Sequence, residues 1–301
     1  MTLRPRFKEN AMKTLTVYTP TYNRAKLLQR AYRSLTAQTS DDFIWMIVDD
    51  GSTDETEETV SGFIGEGKIE IEYYKKENGG KHTATNLAFE KVKTPLIAVA
   101  LDSDDTLKPD AVEKILSAYS SHPDCSGFVF MKEGADGKSF TEFRDSSLEI
   151  MSWRKAICEE HYMGEVLLVL KSSYAGRFRY PVIDGERFFT EAYVYLQMTE
   201  PFFWSHESVY VAEYLEDGYT KNITSSFLEN PVSYAMYNDL RCEVFKPFAK
   251  RLKYAAYYDA FSILSSKKHF VRASKRPILS FFALPLSIVF LIVIKLKSAR
   301  N

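Results

Sequence analysis

Four short apolar runs, each leading into a polar loop, constrain this chain more than any other feature. Thr14–Tyr18 is β-branched and aromatic and meets Pro20. Phe43–Val48 is continuously apolar and ends in DDGSTDE. Ile69–Tyr74 alternates strictly and is followed by KKENGGKH. Leu96–Leu101 is apolar again and runs straight into DSDD. Between them lie helical patterns: Leu27, Leu28, Ala31 and Leu35 over 25–37, a stretch over about 54–64, and one ending near residue 92. The order strand, helix, strand, helix, strand, helix, strand predicts an α/β domain. Its sheet is mostly parallel, with helices on both faces. Ligands of such sheets bind beyond the carboxyl ends of the strands, so PTYNR, DDGSTD and DSDD should converge on one edge.

The knot Asp102-Ser103-Asp104-Asp105 is costly by itself, because like charges this close repel. Carboxylates at i and i+2 beyond a strand end suit a hard divalent ion, Mg2+ or Mn2+, that shares its shell with phosphate oxygens. An acidic turn capping the next helix is the alternative.

The surrounding motifs narrow the choice. LTVYTPTYNRAKLLQRAYRSLTAQT, FIWMIVDDGSTDET, KENGGKHTATN and VALDSDDTLKPD occur in that order over residues 15–110. Together they resemble the family-two inverting glycosyltransferases. The resemblance implies an A-type glycosyltransferase fold, in which a Rossmann-like nucleotide-binding half joins an acceptor-binding half, with a nucleotide-sugar donor and a divalent cation (Mn2+ or Mg2+). Carried onto this sequence, it sets Tyr22 against the nucleobase, with Pro20, Asn23 and Arg24 in the same loop. Asp50 would accept from the base edge and Asp49 would support its loop. Gly79, Gly80, Lys81 and Asn86 would line the donor pocket. Asp102 would face the ribose or diphosphate and share the metal with Asp104, its principal ligand. Ser103 would lie between them and Asp105 near the sugar.

An inverting transfer also needs a general base for the acceptor hydroxyl. Many relatives carry an acidic pair, Glu-Asp, where a helix of the second half begins, and one branch keeps a single Glu preceded by Thr. Here that segment resembles DGERFFTEAYVYLQM, which makes Glu191 the candidate base, with Glu186 and Asp184 as neighbouring alternatives. YLEDGYTKN at 214–222 resembles the loop that closes on the donor diphosphate, with Asp217, Gly218 and Asn222 in it.

The C-terminus is different in kind. Ile278–Ile294 is 17 residues without a charge. As a helix it would be about 26 Å long, close to the ~30 Å hydrocarbon core of a bilayer. Pro285 lies in its middle. Residues 267–301 hold eight Lys or Arg and no Asp or Glu, while residues 1–266 hold 31 basic and 40 acidic residues, a net of −9. A basic, apolar tail on an acidic body points to an anionic membrane surface. Whether the segment spans, re-enters or lies in the interface stays open.

The expected organisation is a nucleotide-sugar-binding half over 13–125, an acceptor-binding half over 126–230, a helical extension over 231–276 and a membrane-associating segment over 277–301. No apolar run follows MTLRPRFKEN, which predicts no signal peptide and a catalytic body on the cytoplasmic face of the membrane. Three scattered cysteines form no metal or disulfide pattern. The single apolar tail segment argues against a processive synthase. The motif set, together with the apolar tail flanked by basic residues, makes a polyprenyl-linked saccharide the expected acceptor, and no nucleic acid partner is expected. A catalytically inactive sugar- or nucleotide-binding module is the competing reading. A nucleotidyltransferase is set aside, because TPTYNR replaces the Gly-rich basic loop such enzymes carry after the first strand.

Overall fold

The computed structural model describes residues 2–3, 12–144, 147–159, 161–212 and 223–298. By chain contacts it forms two compact units. One is Met1–Arg179 with Thr199–Glu213; the other is Tyr180–Met198 with Tyr214–Asn301.

The first unit is built on one sheet. Its strands are β1 (Thr2–Leu3), β2 (Leu15–Thr21), β3 (Phe43–Asp49), β4 (Ile71–Lys75), β5 (Leu96–Val99), β6 (Thr106–Leu107), β7 (Gly127–Gly134), β9 (Ile150–Ser152), β11 (Val166–Lys171) and β12 (Pro201–Ala212). β8 (Thr141–Phe143) and β10 (Tyr162–Gly164) pair with each other. The large sheet runs β1-β4-β3-β2-β5-β11-β7-β12-β6, with β9 on β12. β4, β3, β2 and β5 are parallel, as are β7 and β12. β11 enters antiparallel between β5 and β7, so the sheet is mixed beyond the nucleotide-binding strands.

The helices α1 (Ala25–Thr36), α2 (Thr56–Glu66) and α3 (Lys81–Lys91) are the crossovers of the parallel part. Two crossovers step from β2 to β3 to β4; the third returns past them to β5 on the other side of β2. Right-handed connections running in opposite directions place their helices on opposite faces of the sheet. The order reverses at β2, which opens a crevice at the carboxyl ends of β2 and β5.

Local chemistry explains the pieces. α1 buries Ala25, Leu28, Ala31, Tyr32 and Leu35, one face of a 3.6-residue period. Tyr32 stacks on Phe63 of α2 at 4.0 Å between ring centroids, and Trp45 lies beside Phe63 at 5.9 Å. The Trp45 indole donates to the Thr19 hydroxyl at 2.9 Å, so its buried N–H is satisfied. β2 pairs with β5 only from Leu15 to Val17. Pro20 therefore falls where β2 has left β5, and its missing N–H costs no ladder bond there. After β5 come α4 (Ala111–Ser121), α5 (Trp153–Cys158) and α6 (Ser172–Ala175).

The second unit is helical: α7 (Ala192–Tyr195), α8 (Ile223–Glu229), α9 (Pro231–Val244), α10 (Phe248–Leu264), α11 (Phe270–Ala273) and α12 (Pro277–Ser298). Its core gathers Ala235, Tyr258, Phe261 and Ile294, with Phe227, Tyr234 and Phe290 packed around them. α12 runs continuously through Pro285 and is the one helix among the described residues long and apolar enough to cross a membrane. The cysteines Cys125, Cys158 and Cys242 are free thiols.

Candidate active site

The loops after β2, β3 and β5 meet at one edge of the sheet, joined there by the loop before α3. The first contact comes from register: Thr21 of β2 pairs with Asp49 of β3, and the Asp50 N–H donates to the Thr21 carbonyl at 2.8 Å. Asn23 adopts φ +52°, a left-handed conformation that Asn tolerates better than most residues. There its N–H donates to the Ser52 hydroxyl at 2.8 Å, and its side-chain oxygen accepts from the Thr53 N–H at 2.8 Å. Asp54 accepts from the Ala25 N–H at 3.2 Å and from the Thr56 N–H at 3.1 Å, so one carboxylate serves the first turns of α1 and α2. Burial opposes ionisation of Asp54, but these hydrogen bonds outweigh it and hold its carboxyl below the usual range. The loop leaves Tyr22 46% exposed at the mouth, with Arg24 also exposed.

Asp49 and Asp50 are consecutive, yet they do different things. Asp49 is fully buried; it accepts from the Ser52 N–H at 2.7 Å and the Tyr73 hydroxyl at 2.6 Å. It thereby closes the DDGS turn. Burial and then this carboxylate push the Tyr73 phenol far above its ordinary range, so Tyr73 stays a donor. Asp50 is 4% exposed and reaches across to the glycine loop. It accepts from Lys76 Nζ at 2.6 Å, the Gly79 N–H at 3.0 Å and the Gly80 N–H at 2.7 Å. The Asn78 amide donates back to the Asp50 carbonyl at 2.9 Å. Two glycines are obligatory here. Gly51 has φ +86° and a Cβ would lie 2.9 Å from Asn78 N; Gly80 has φ +92° where the chain enters α3. The outcome is a rigid brace between the β3 loop and the start of α3, which presents Lys81 and half-buried Asn86.

The acidic knot is held from three sides. Lys81 Nζ pairs with Asp102 at 2.8 Å. The Tyr210 hydroxyl donates to Asp105 at 2.7 Å and accepts from the Asp102 N–H at 3.0 Å. Lys132 Nζ lies 3.9 Å from the centre of the Tyr210 ring. Burial alone would raise the Asp102 pKa, but Lys81, Lys132 and Arg24 outweigh it and keep the carboxyl below its ordinary range. Ser103 and Asp105 are buried, whereas Asp102 and Asp104 are half-buried. Among the described residues no cluster of three or more His, Cys, Asp or Glu is arranged around a metal position. Two partly open carboxylates at a strand end instead match an ion that completes its shell with phosphate oxygens and water.

In the second unit, Glu191 is exposed and stands at the start of α7. Glu186 is committed elsewhere: it accepts from the Val232 N–H at 2.6 Å, the Ser233 N–H at 2.8 Å and the Ser233 hydroxyl. It is a cap for α9, which removes it from the choice of base. Asn230 adds to the same junction, accepting from the Arg187 and Phe188 N–H groups at 3.0 and 2.9 Å. Asp184 is exposed. Asp217, Gly218 and Asn222 lie outside the described residues.

Lys76, Tyr73, Lys132 and Tyr210 were not singled out from the sequence. Lys76 opens the KENGG motif and could have been noticed. Lys132 and Tyr210 reach the knot from β7 and β12, and no local pattern announces them.

Comparison with known proteins bears on the family and the fold. The family model described as glycosyl transferase family 2 matches residues 16–217. The hyaluronan synthase of Pasteurella multocida is 38% identical over 110 residues, 36% of this chain. The match covers only 11% of that much longer protein. Among solved structures, residues 1–349 of S. aureus TarS, in complex with UDP-GlcNAc, superpose with a TM-score of 0.60 at 15% identity, over 95% of this chain and 92% of that one. The mannosyltransferase PcManGT of Pyrobaculum calidifontis, in complex with GDP-Man and Mn2+, gives a TM-score of 0.55 at 15% identity, over 98% and 83% of the two chains.

Proposed function

This chain is a glycosyltransferase of glycosyl transferase family 2, and from that premise we propose that it transfers one sugar, with inversion, from a UDP-sugar to a lipid-linked saccharide during surface polysaccharide synthesis. The observation that carries the reading is the convergence of four loops at the carboxyl edge of β2, β3 and β5, with Asp102 and Asp104 half-open beside Lys81. The TarS complex with UDP-GlcNAc and the PcManGT complex with Mn2+ support the donor class and the cation. The hyaluronan synthase supports a polysaccharide product.

In this reading Tyr22 offers its exposed ring to the base. Asp50 acts mainly through the Gly79–Gly80 loop it holds. A carboxylate offers roughly four lone-pair sites, so three donors leave about one for the edge of a base. Asp102 and Asp104 hold Mn2+ or Mg2+, which offsets the charge developing on the departing diphosphate. Glu191 takes the proton of the acceptor hydroxyl, a role that rests on the family resemblance. The basic, apolar C-terminus brings the enzyme to the cytoplasmic face of the membrane, where a polyprenyl-linked acceptor is found.

Calorimetric titration tests this. UDP, with GDP as control, is titrated into the full-length protein in mild detergent with and without Mn2+. UDP binding that needs Mn2+ and disappears in Asp104→Ala is the expected result. Folded protein that binds neither nucleotide would remove the donor assignment. Binding without sugar transfer, in wild type supplied with lipid-linked acceptor, would favour the inactive binding module.

A further inference from the structure

We propose that α12 lies in the plane of the membrane interface, with one face seated on its own helical unit and the other in lipid, rather than crossing the bilayer. The inference rests on the membrane attachment proposed above and adds its geometry.

Two faces of α12 differ sharply. Ser280, Ala283, Ser287 and Ile294 are buried, at spacings of three, four and seven residues, which is one seam of the helix. Phe290 continues that seam by stacking on Tyr257 of α10 at 4.1 Å. The Ser280 hydroxyl donates to Asp259 of α10, and Ile294 packs on Ala235, Tyr258 and Phe261. The helix is thus docked from Ser280 to Ile294. The small Ser and Ala residues on the seam permit close approach.

The rest of the helix carries Ile278, Phe282, Leu286, Val289, Val293 and Leu296, all 41–76% exposed at steps of three and four, with Phe281, Ile288 and Ile292 exposed beside them. Such a contiguous apolar surface, open along the whole helix, is the kind that marks a membrane or protein contact. Its surroundings identify the occupant. Lys267, Lys268, Arg272, Lys275 and Arg276 precede the helix, Lys295 and Lys297 close it, and no acid occurs from 267 onward. Cations flanking an apolar stripe suit anionic headgroups above acyl chains. An open depression beside the start of α12 combines the same chemistry, with Arg272 and His269 next to Val271, Ile278 and Phe281.

Spanning conflicts with these contacts. Asp259 touches α12 directly, and Lys253 lies 5.5 Å from the centre of the Tyr257 ring that stacks on Phe290. A transmembrane α12 would draw these groups into hydrocarbon or would have to leave its seat. It would also send one of two basic clusters across the bilayer, whereas an in-plane helix keeps both at headgroup level.

The experiment uses the full chain with Cys158→Ser as background and a single new thiol, Lys268→Cys or Lys297→Cys. Both are exposed positions on opposite sides of the apolar run. Spheroplasts and inverted membrane vesicles are labelled with a membrane-impermeant maleimide. Purified protein is separately floated with vesicles of phosphatidylcholine, alone or three parts to one with phosphatidylglycerol. The expected result is labelling of both thiols from the cytoplasmic side only. Flotation should need phosphatidylglycerol and be lost in Phe282→Ser/Val289→Ser with the circular dichroism unchanged. Labelling of the two thiols from opposite sides overturns the in-plane geometry and leaves membrane attachment standing. Protein that floats with neither vesicle and is dimeric in solution overturns both, because a second copy then covers the stripe.

Discussion

The hydroxyl of Tyr210 donates to the carboxylate of Asp105 at 2.7 Å, tying a residue of β12 to the acidic knot that follows β5. The two are more than a hundred positions apart in the chain. Tyr210 is fully buried, and burial, then Asp102 and Asp105, push its phenol well above the ordinary range. It therefore remains a donor at any working pH. Tyr210→Phe keeps the ring under Lys132 and removes that donor. The expected loss is about 1–3 kcal/mol of stability, because a buried acceptor loses a partner. Mn2+-dependent UDP affinity should weaken roughly 10-fold, equivalent to about 1.4 kcal/mol. Urea unfolding and calorimetry measure the two effects separately; unchanged affinity would make Tyr210 purely structural.

Asp50 and Lys76 brace the glycine loop, but they are not equivalent. Asp50→Asn replaces an acceptor with an N–H2 group facing backbone donors and should cost about 2–3 kcal/mol. Lys76→Met leaves the Gly79 and Gly80 N–H groups satisfied and should cost less. A double-mutant cycle by urea unfolding checks the coupling. Equal single-mutant effects with a coupling as large as either would mean that the glycine amides contribute little.

Glu186 and Glu191 are five residues apart and should separate stability from activity. Glu186→Ala removes a cap that holds the Val232 and Ser233 N–H groups, at a cost of about 1–2 kcal/mol. Glu191→Gln is an exposed substitution and should leave stability within about 0.5 kcal/mol. It should lower turnover by roughly two to four orders of magnitude, the usual worth of a general base. A Glu191→Gln enzyme with wild-type kcat would send the search for the base elsewhere.

Asp259 gives the helical unit a pH dependence. It is fully buried, and one carboxylate oxygen has no hydrogen-bond partner. Burial raises its pKa to about 7; the Ser280 hydroxyl opposes this only in part, and nearby Asp239 adds to it. Between the ordinary carboxylate value near 4 and about 7, the unfolded chain has released a proton that the folded chain keeps. Stability therefore falls as pH rises through that window and levels off above it, by up to roughly 4 kcal/mol. Asp259→Asn lacks this slope and should be the more stable protein at pH 8. Thermal melts of both proteins from pH 4.5 to 8 test it, and parallel curves would show that Asp259 is ionised in the fold.

Sequence alone determined the α/β frame, the order of its parallel strands and helices, and three of the loops that meet at the site. These follow from local periodicity and from the rule that such sheets bind ligands at strand carboxyl ends, both of which act over a few residues at a time. Tertiary structure decided the rest. β11 is apolar like its neighbours, so nothing in its residues announced that it would enter antiparallel. Asp49 and Asp50 look alike in DDGS, yet one closes its own turn and the other holds Gly79 and Gly80. Glu186 and Glu191 both precede an apolar helix, and only the fold made one of them a cap. Lys132 and Tyr210 reach Asp102 and Asp105 through strand pairing across the sheet. Such roles depend on which groups meet in space, and chain distance carries no record of that.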